Sequence, residues 1–240
     1  MKTKPMPLWK NFMLHIVPGI IITAVYILLS SVIVSPAIPK ALLFYVSALV
    51  LIPTAYIILK LGSPTGKAID AIGNKEKPAF WKALVFGVLA FVLAGLVMTL
   101  LKQLNNYIQN QLFGWMNDQF AVSDYLIHPE RYSKNILIIT WITGLLTTST
   151  IVPIVEELYF RGYLLKELDR YKLGVVFLSA LFFSLYHVFS PWMLLSRFIA
   201  LLPMTYFIWK YKDIRIGIIA HVLLNLVGDS LSSMPIIFGA

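Results

Sequence analysis

The chain has 240 residues, of which 59% are hydrophobic and 13% are charged, and its net charge is +9. Its mean hydropathy of +0.80 excludes an ordinary soluble domain and predicts helices that cross a lipid bilayer. The absence of cysteine excludes thiol catalysis, disulfides, cysteine zinc sites and lipid attachment to cysteine. The positive charge is typical of membrane spans flanked by lysine and arginine. The sequence contains no basic domain that would indicate nucleic-acid binding.

Seven continuous apolar runs predict membrane-spanning helices. They cover residues 12–34, 41–61, 81–101, 135–155, 173–189, 192–209 and 214–237. Continuous runs favour helices over the alternating strands of a membrane β-barrel. The first run is longer than the core of a signal peptide and lacks an obvious cleavage site, so we expect it to be retained. We predict one all-α polytopic membrane domain over residues 1–240, with about seven to eight transmembrane helices.

Two further segments have an architectural pattern. The third run carries small residues at helical spacing, which allow close helix packing in lipid. These residues are Ala83, Gly87, Ala90 and Ala94. Between the third and fourth runs, apolar residues share one face of a segment rich in asparagine and glutamine, which predicts an amphipathic helix at the membrane interface. These residues are Leu104, Ile108, Leu112 and Trp115.

The distribution of lysine and arginine predicts the orientation in the membrane. Most of these residues fall in the N-terminal tail and in the loops after the second, fourth and sixth runs. Because cytoplasmic segments carry the excess of basic residues, we expect a cytoplasmic N-terminus and an outer C-terminus. Arg197 lies near the start of the sixth run, and we expect its side chain to extend to the outer interface, with pairing to an acidic residue as the alternative.

Two adjacent glutamates follow the apolar residues of the fourth run. Ionisable groups at membrane depth cost several kcal/mol unless they are paired or face water, so they indicate a functional site. Glu157 and Arg161 have the i,i+4 spacing of a helical ion pair, in the favoured order. Glu156 lies about 100° around the helix from Glu157 and therefore points elsewhere. The alternative is that all three charges form a cluster that only holds the helices together.

Two later helices carry histidines with a partner one helical turn away. His187 follows Phe183 in the fifth run, and His221 precedes Asn225 in the seventh. Residues four apart share one face of a helix, so His221 and Asn225 are expected to project together. The other histidines are interpreted as a hydrogen-bonded packing residue of the first run and a residue of the outer loop. They are His15 and His128.

A carboxylate, two imidazoles and an amide on three helices indicate hydrolysis. Glu156 and His187 can each take a proton from water. A histidine N–H and the amide of Asn225 can donate to an oxyanion as it forms. Together these groups predict the activation of water against a peptide carbonyl.

The same side chains also allow a metal site. Glu156, His187 and His221 match a zinc or iron ligand set. The chain has no His-Glu-x-x-His, and no acidic residue is positioned in the sequence to orient either imidazole. No cofactor is favoured, and zinc remains an alternative.

Signatures of other membrane proteases are weak. The Gly-x-Gly-Asp motif of aspartate proteases is absent from the sequence. Residues 228–231 read Gly-Asp-Ser-Leu, which imitates a serine hydrolase, but they lie near the end of a predicted helix and not after a strand, so we interpret them as a chance match. Asp229 follows Asn225 by one turn and is placed to touch the site.

Three motifs in order along the chain resemble those of a known family. They are Glu-Glu-x-x-x-Arg at 156–161, Phe-x-x-x-His at 183–187 and His-x-x-x-Asn at 221–225. The set is similar to that of the CPBP family of intramembrane endopeptidases, also called the CAAX protease and bacteriocin-processing or Abi family. The resemblance covers about residues 147–228 and contributes nothing specific for the first four-tenths of the chain.

The resemblance implies a role for each motif residue. Glu156 would activate water with help from His187, while His221 and Asn225 would stabilise the oxyanion. The residues that would mainly support this geometry are Glu157, Arg161 and Phe183. The family was long described as metalloproteases, and a metal-independent glutamate mechanism is favoured for its eukaryotic CAAX-cleaving members.

The expected substrates are membrane-anchored peptides or proteins, such as pheromone precursors or bacteriocin leaders. The size and the lysine-flanked spans suit a bacterial plasma membrane, where prenylated CAAX proteins are not expected as substrates. The oligomeric state stays open. One alternative is a non-proteolytic scaffold or bacteriocin-immunity protein of the same fold. The other is a small proton-coupled transporter, against which we count the lack of paired half-repeats and broken helices.

Overall fold

The computed structural model describes residues 5–73, 79–116, 120 and 122–239, and this part of the chain contains helices and no strand. The principal helices are α1 (Leu8–Val32), α2 (Lys40–Ala48), α3 (Leu51–Gly62), α4 (Phe80–Leu100), α5 (Lys102–Leu112), α6 (Lys134–Glu167), α7 (Gly174–Tyr186), α8 (Leu194–Tyr211) and α9 (Arg215–Phe238). Short helical turns occupy Ala68–Ala71, Gly114–Met116, Asp124–Ile127, Pro129–Arg131, Asp169–Tyr171 and Pro191–Met193.

Within the described residues, six helical segments are long and apolar enough to cross a membrane. They are α1, α2 with α3, α4, α6, α8 with the turn before it, and α9. The predicted fifth span forms only α7, whose 13 residues extend over about 20 Å. This length is less than the ~30 Å of a hydrocarbon core. The all-α polytopic class is confirmed, with a short helix in place of the fifth predicted span.

The second predicted span forms two helices, α2 and α3, that meet at Leu49 and Val50. Both residues keep helical backbone angles. The Leu49 carbonyl accepts a hydrogen bond from the Ile52 N–H, because Pro53 has no N–H to donate. The backbone tightens here without unwinding, and residues 40–62 together are long enough for one membrane span.

The small-residue stripe of α4 is buried, as predicted. α4 packs along α9, and a Cβ atom on Gly87 would lie 2.8 Å from Cβ and Cγ2 of Ile219. Ala90 and Ala94 of the same stripe border a cavity between the helices. The close approach of α4 to α9 therefore depends on the missing side chain at Gly87.

Replacing Gly87 by alanine is expected to destabilise the protein by about 1–3 kcal/mol, because the new methyl group overlaps a β-branched side chain that has little freedom to move. The control is Gly95→Ala on the same helix, where the nearest atom to the new Cβ would be 4.0 Å away. Thermal unfolding in detergent compares the two variants. Equal melting temperatures would mean that α9 shifts away from α4 without cost.

The predicted amphipathic helix forms as α5. Leu104 and Leu112 are exposed on this helix, and Trp115 is exposed in the turn that follows it. Exposed apolar residues on a helix rich in polar residues fit a position at the membrane interface.

α6 contains two π-helical segments, Thr147–Ile151 and Glu157–Leu164. In a π-helix each N–H bonds to the carbonyl five residues earlier, and such wide turns are frequent at functional sites. The helix continues through the two glutamates and ends at Glu167, close to the expected end at Leu168. Glu156 and Glu157 thus lie at the junction between regular and widened helix.

Candidate active site

The four side chains predicted to perform hydrolysis border one cavity of about 230 Å³. Glu156 comes from α6, His187 directly follows α7, and His221 and Asn225 project from α9. The remaining wall is mostly apolar. It includes Ile22, Phe44, Ala90, Ala94, Met98, Val152, Phe183, Leu201, Met204 and Leu224. The structure therefore brings the predicted residues together in a largely apolar enclosure.

Glu157 lies behind the cavity at the centre of a buried network. Its Oε1 accepts hydrogen bonds from Arg161 Nη1 at 3.1 Å and from His221 Nδ1 at 2.9 Å. Glu157 and Arg161 are 0% and 1% exposed, so the predicted i,i+4 ion pair forms entirely inside the protein. The expectation that no acidic residue orients an imidazole is wrong, because Glu157 holds His221 from a different helix.

Gly217 provides the space for this contact. A Cβ atom at this position would lie 2.5 Å from Glu157 Oε2 and 2.7 Å from Ile208 Cδ1. Gly217 is one helical turn before His221 on α9, so the carboxylate packs against bare backbone directly beside the imidazole it holds.

Gly217→Ala is expected to reduce peptidase activity at least about tenfold, because moving the Glu157 carboxylate changes the orientation of His221. Gly228→Ala on the same helix is the control, since a Cβ there has no atom within 4 Å. Activity is measured together with the amount of folded protein in the membrane. Full activity in Gly217→Ala would show that the Glu157 contact does not matter for the site.

Phe183 connects the first motif with His187 of the second. The Arg161 guanidinium lies 3.8 Å from the centre of the Phe183 ring, in a cation–π contact. The Phe183 carbonyl accepts a hydrogen bond from His187 Nδ1 at 3.0 Å. Since a carbonyl only accepts, the His187 proton resides on Nδ1 and the Nε2 lone pair is left available in the neutral imidazole.

Glu156 is 4% exposed and accepts no hydrogen bond within 3.5 Å from the described residues. The nearest printed contact of its carboxylate is His221 Nε2, 3.6 Å from Oε2. The hydroxyl of Tyr186 is close enough to interact with it electrostatically. The Glu156 carboxylate is therefore held by charge and packing rather than by a fixed donor.

Asn225 is attached to the first π-helical segment. Its Nδ2 donates to the Thr148 carbonyl at 2.9 Å. In the i→i+5 pattern this carbonyl would receive the N–H of residue 153, which is proline and has none. The amide of Asn225 replaces that missing donor and retains a second N–H. Asp229, one turn later, accepts from Ser149 and does not border the cavity.

A second pocket of about 820 Å³ adjoins the cavity and shares Phe44, Phe189 and Met193 with it. Polar residues of α5 and of the segment after it line much of this pocket. They include Lys102, Asn106, Gln109, Asn110, Ser123 and Asp124. The three residues that the two pockets share are apolar and lie between the cavity and these polar groups.

Comparison with known proteins agrees with the motifs. Residues 138–227 match the family described as type II CAAX prenyl endopeptidase Rce1-like. This segment is Rce1-like. It contains all three motifs, and the match confirms the resemblance to the CPBP family. Together with the long apolar helices, it indicates an integral membrane protein with a segment similar to a family of membrane proteases. No curated protein and no solved structure shows significant similarity to the chain.

Within the Rce1-like segment, Arg197 contradicts the expectation that it extends to the outer interface. It borders the cavity, where its Nη2 donates to Ser190 Oγ at 2.9 Å and contacts Met193 Sδ at 3.7 Å. Ser190 belongs to the loop after α7, so the hydrogen bond that holds Arg197 at the cavity joins α8 to this loop. The sequence feature that could have identified Arg197 as a site residue is its charge within an apolar run.

The alternative of a metal centre concerns Glu156, His187 and His221, which border the same cavity. Among the residues that the structure describes, no three His, Asp or Glu side chains form a group that could hold a metal ion. His221 donates from Nδ1 to Glu157, and its Nε2 lies 3.6 Å from Glu156 Oε2.

The two remaining histidines lie away from the Rce1-like site. His15 is fully buried beside the rings of Phe160 and Phe182, and its Nδ1 donates to the Asn11 carbonyl at 2.9 Å. His15 is thus a hydrogen-bonded packing residue, as predicted. His128 lies in an exposed loop, 3.3 Å from a carboxylate oxygen of Glu130.

Proposed function

We propose that the protein is an intramembrane endopeptidase that hydrolyses peptide bonds of membrane-anchored peptides or proteins through water activated by Glu156. The observation that carries this proposal is the convergence of Glu156, His187, His221 and Asn225 on one cavity of about 230 Å³. Family membership of residues 138–227 supports the same class of reaction. The surrounding helices make membrane-anchored chains the natural substrates.

Glu156 is the proposed general base. Its carboxylate accepts no fixed hydrogen bond from the described part of the chain, so it is available to a water molecule. His187 Nε2 also accepts, because Nδ1 donates to the Phe183 carbonyl. A water molecule that donates to both groups would have its oxygen directed at a substrate carbonyl. Such base catalysis typically contributes about 10²–10⁴-fold to the rate.

His221 and Asn225 are the proposed oxyanion donors. Glu157 accepts the hydrogen bond from His221 Nδ1, and His221 Nε2 lies toward the cavity, 3.6 Å from Glu156 Oε2. Asn225 offers the N–H that does not bond the Thr148 carbonyl. Donors fixed in place before the reaction stabilise the oxyanion without having to reorient.

The proposed reaction is an ordinary hydrolysis of a peptide bond. The water O–H bond breaks as its oxygen bonds to the substrate carbonyl carbon, and the proton passes to Glu156. The carbonyl electron pair moves to the oxygen and forms the tetrahedral oxyanion. Glu156 then transfers the proton to the leaving nitrogen, the C–N bond breaks, and the carbonyl forms again.

The test is substrate trapping in membranes. Peptides that accumulate are compared between cells with the wild type, Glu156→Ala and His187→Ala at equal protein levels. We expect shared uncleaved species in both variants that are shortened by the wild type. A farnesylated CAAX peptide is added to the purified protein as one defined probe, since the matched family carries that name. If neither variant changes any peptide, the protease assignment is wrong.

Cleavage is expected to persist after treatment with a strong zinc chelator, because the mechanism uses side chains alone. Activity is measured before and after chelation, with Zn²⁺ added back as a control. Loss of at least about tenfold that zinc restores would favour the alternative ligand set of Glu156, His187 and His221.

A further inference from the structure

Arg197 is a partly buried cation that has no acidic partner in the described part of the chain. Its Nη2 bonds Ser190, its Nη1 is buried with no hydrogen-bond partner, and no carboxylate lies within 4.0 Å of it in the described ranges. Removing a guanidinium from water without a counter-charge costs several kcal/mol. Such a position indicates a place where an anion is present during function.

Arg197 borders the same cavity as the proposed catalytic groups Glu156 and His187. Its guanidinium donates to Ser190 Oγ, in the loop that follows His187. It therefore faces the space where the water and the scissile bond would meet.

The other oxyanion donors are partly engaged elsewhere. Asn225 uses one N–H for the Thr148 carbonyl, and His221 uses Nδ1 for Glu157. His221 donates from Nε2 only when doubly protonated, whereas a guanidinium in a protein is always charged and offers five N–H groups. Arg197 is thus the one permanent cation on the described cavity wall.

We propose that Arg197 is a further catalytic residue, whose guanidinium binds the oxyanion of the tetrahedral intermediate. This inference rests on the proposed peptidase function. In the resting site the negative charge lies on Glu156. When Glu156 accepts the proton from water, that charge moves to the oxyanion, and Arg197 stabilises it there.

A permanent substrate carboxylate at the same place is less favourable. It would lie near the charged Glu156 in the resting enzyme, and like charges in a low-dielectric site repel. The oxyanion arises only as Glu156 becomes neutral. One negative charge therefore lies near Arg197 both before and after the proton transfer. An interaction that strengthens in the transition state raises kcat more than it lowers KM.

The experiment measures binding of three non-hydrolysable probes to the full-length protein in nanodiscs. The first is a capped leucyl-leucine analogue with a phosphinic link, a tetrahedral anion. The second is the same capped compound with a neutral ketomethylene link. The third is the ketomethylene compound with a free C-terminal carboxylate. The proteins are the wild type, Arg197→Gln, Arg197→Lys and Arg131→Gln, which alters an exposed arginine 3.3 Å from Asp124.

Arg197→Gln is expected to weaken binding of the phosphinic probe by roughly 100-fold or more, the scale of one lost oxyanion donor. Binding of both ketomethylene probes by Arg197→Gln should change less than about threefold. The affinity of Arg197→Lys for the phosphinic probe should lie between those of the wild type and Arg197→Gln. Arg131→Gln should bind all three probes like the wild type. Melting temperatures of all variants are measured on the same preparations and identify any variant that fails to fold. If Arg197→Gln fails to fold, probe binding by Arg197→Lys is compared with that of the wild type instead.

Three results would overturn the inference. Equal losses for all probes would make Arg197 a structural residue, and a loss confined to the free carboxylate would make it a substrate-end site. Phosphinic binding that survives Arg197→Gln would remove Arg197 from the oxyanion site while leaving the peptidase proposal intact. A wild type that does not prefer the phosphinic probe would reject the hydrolytic mechanism itself.

Discussion

Glu156→Gln is expected to lower kcat for peptide cleavage by about 10²–10⁴-fold, because the amide cannot take a proton from water. The exchange keeps the size of the side chain, and no fixed hydrogen bond in the described part of the site is lost. KM should therefore change little, and the melting temperature should stay close to that of the wild type. Steady-state kinetics on purified protein in nanodiscs measures both constants.

The matched control is Glu130→Gln, which removes a carboxylate that is 68% exposed in the loop beside His128. This variant should retain wild-type kcat. If Glu156→Gln cleaves at the wild-type rate, another group activates the water, and His187 becomes the first candidate. If both variants lose activity equally, the effect comes from charge in general and not from the site.

Arg161→Met is expected to lower the free energy of unfolding by about 3–5 kcal/mol, because it removes the cation that neutralises the buried Glu157 carboxylate. Arg161 also loses its contact with the Phe183 ring in this variant. Thermal unfolding in detergent and the amount of protein in the membrane are the measurements. Both are expected to fall together with activity, since His221 depends on Glu157.

Lys212→Gln is the control for this prediction. Lys212 pairs with Asp169 at 3.0 Å, but both side chains are more than 40% exposed, and such surface pairs contribute about 0–1 kcal/mol. The double variant Glu157→Gln with Arg161→Met should recover part of the stability, because no unpaired charge remains. If Arg161→Met is as stable as Lys212→Gln, the buried pair does not hold the helices together.

Local patterns predicted most of the helices and one element of the site. Continuous apolar runs give nearly the same boundaries as α1, α4 and α9, because burying backbone hydrogen bonds in lipid leaves helix as the available structure. The Glu157–Arg161 pair follows from helical spacing alone, since residues four apart are neighbours on any helix. The small stripe of α4 was predictable for the same reason.

The depth of the site was not predictable from single helices. Counting along predicted spans places His187 much farther from the basic flank of its helix than His221 is from that of α9. In the structure α7 has 13 residues and His187 directly follows it, while His221 lies on the second turn of α9. Both helices pack against α6, and both imidazoles border one cavity.

The sequence by itself determined the helical class, the three motifs and the pairing of Glu157 with Arg161, because these depend on composition and on the 3.6-residue period of a helix. Only the tertiary structure decided that Glu157 holds His221, that Asn225 bonds the Thr148 carbonyl and that Arg197 faces the cavity. Each of these contacts joins separate helices. Such contacts depend on how the helices pack, and no local periodicity specifies the rotation and depth of one helix relative to another.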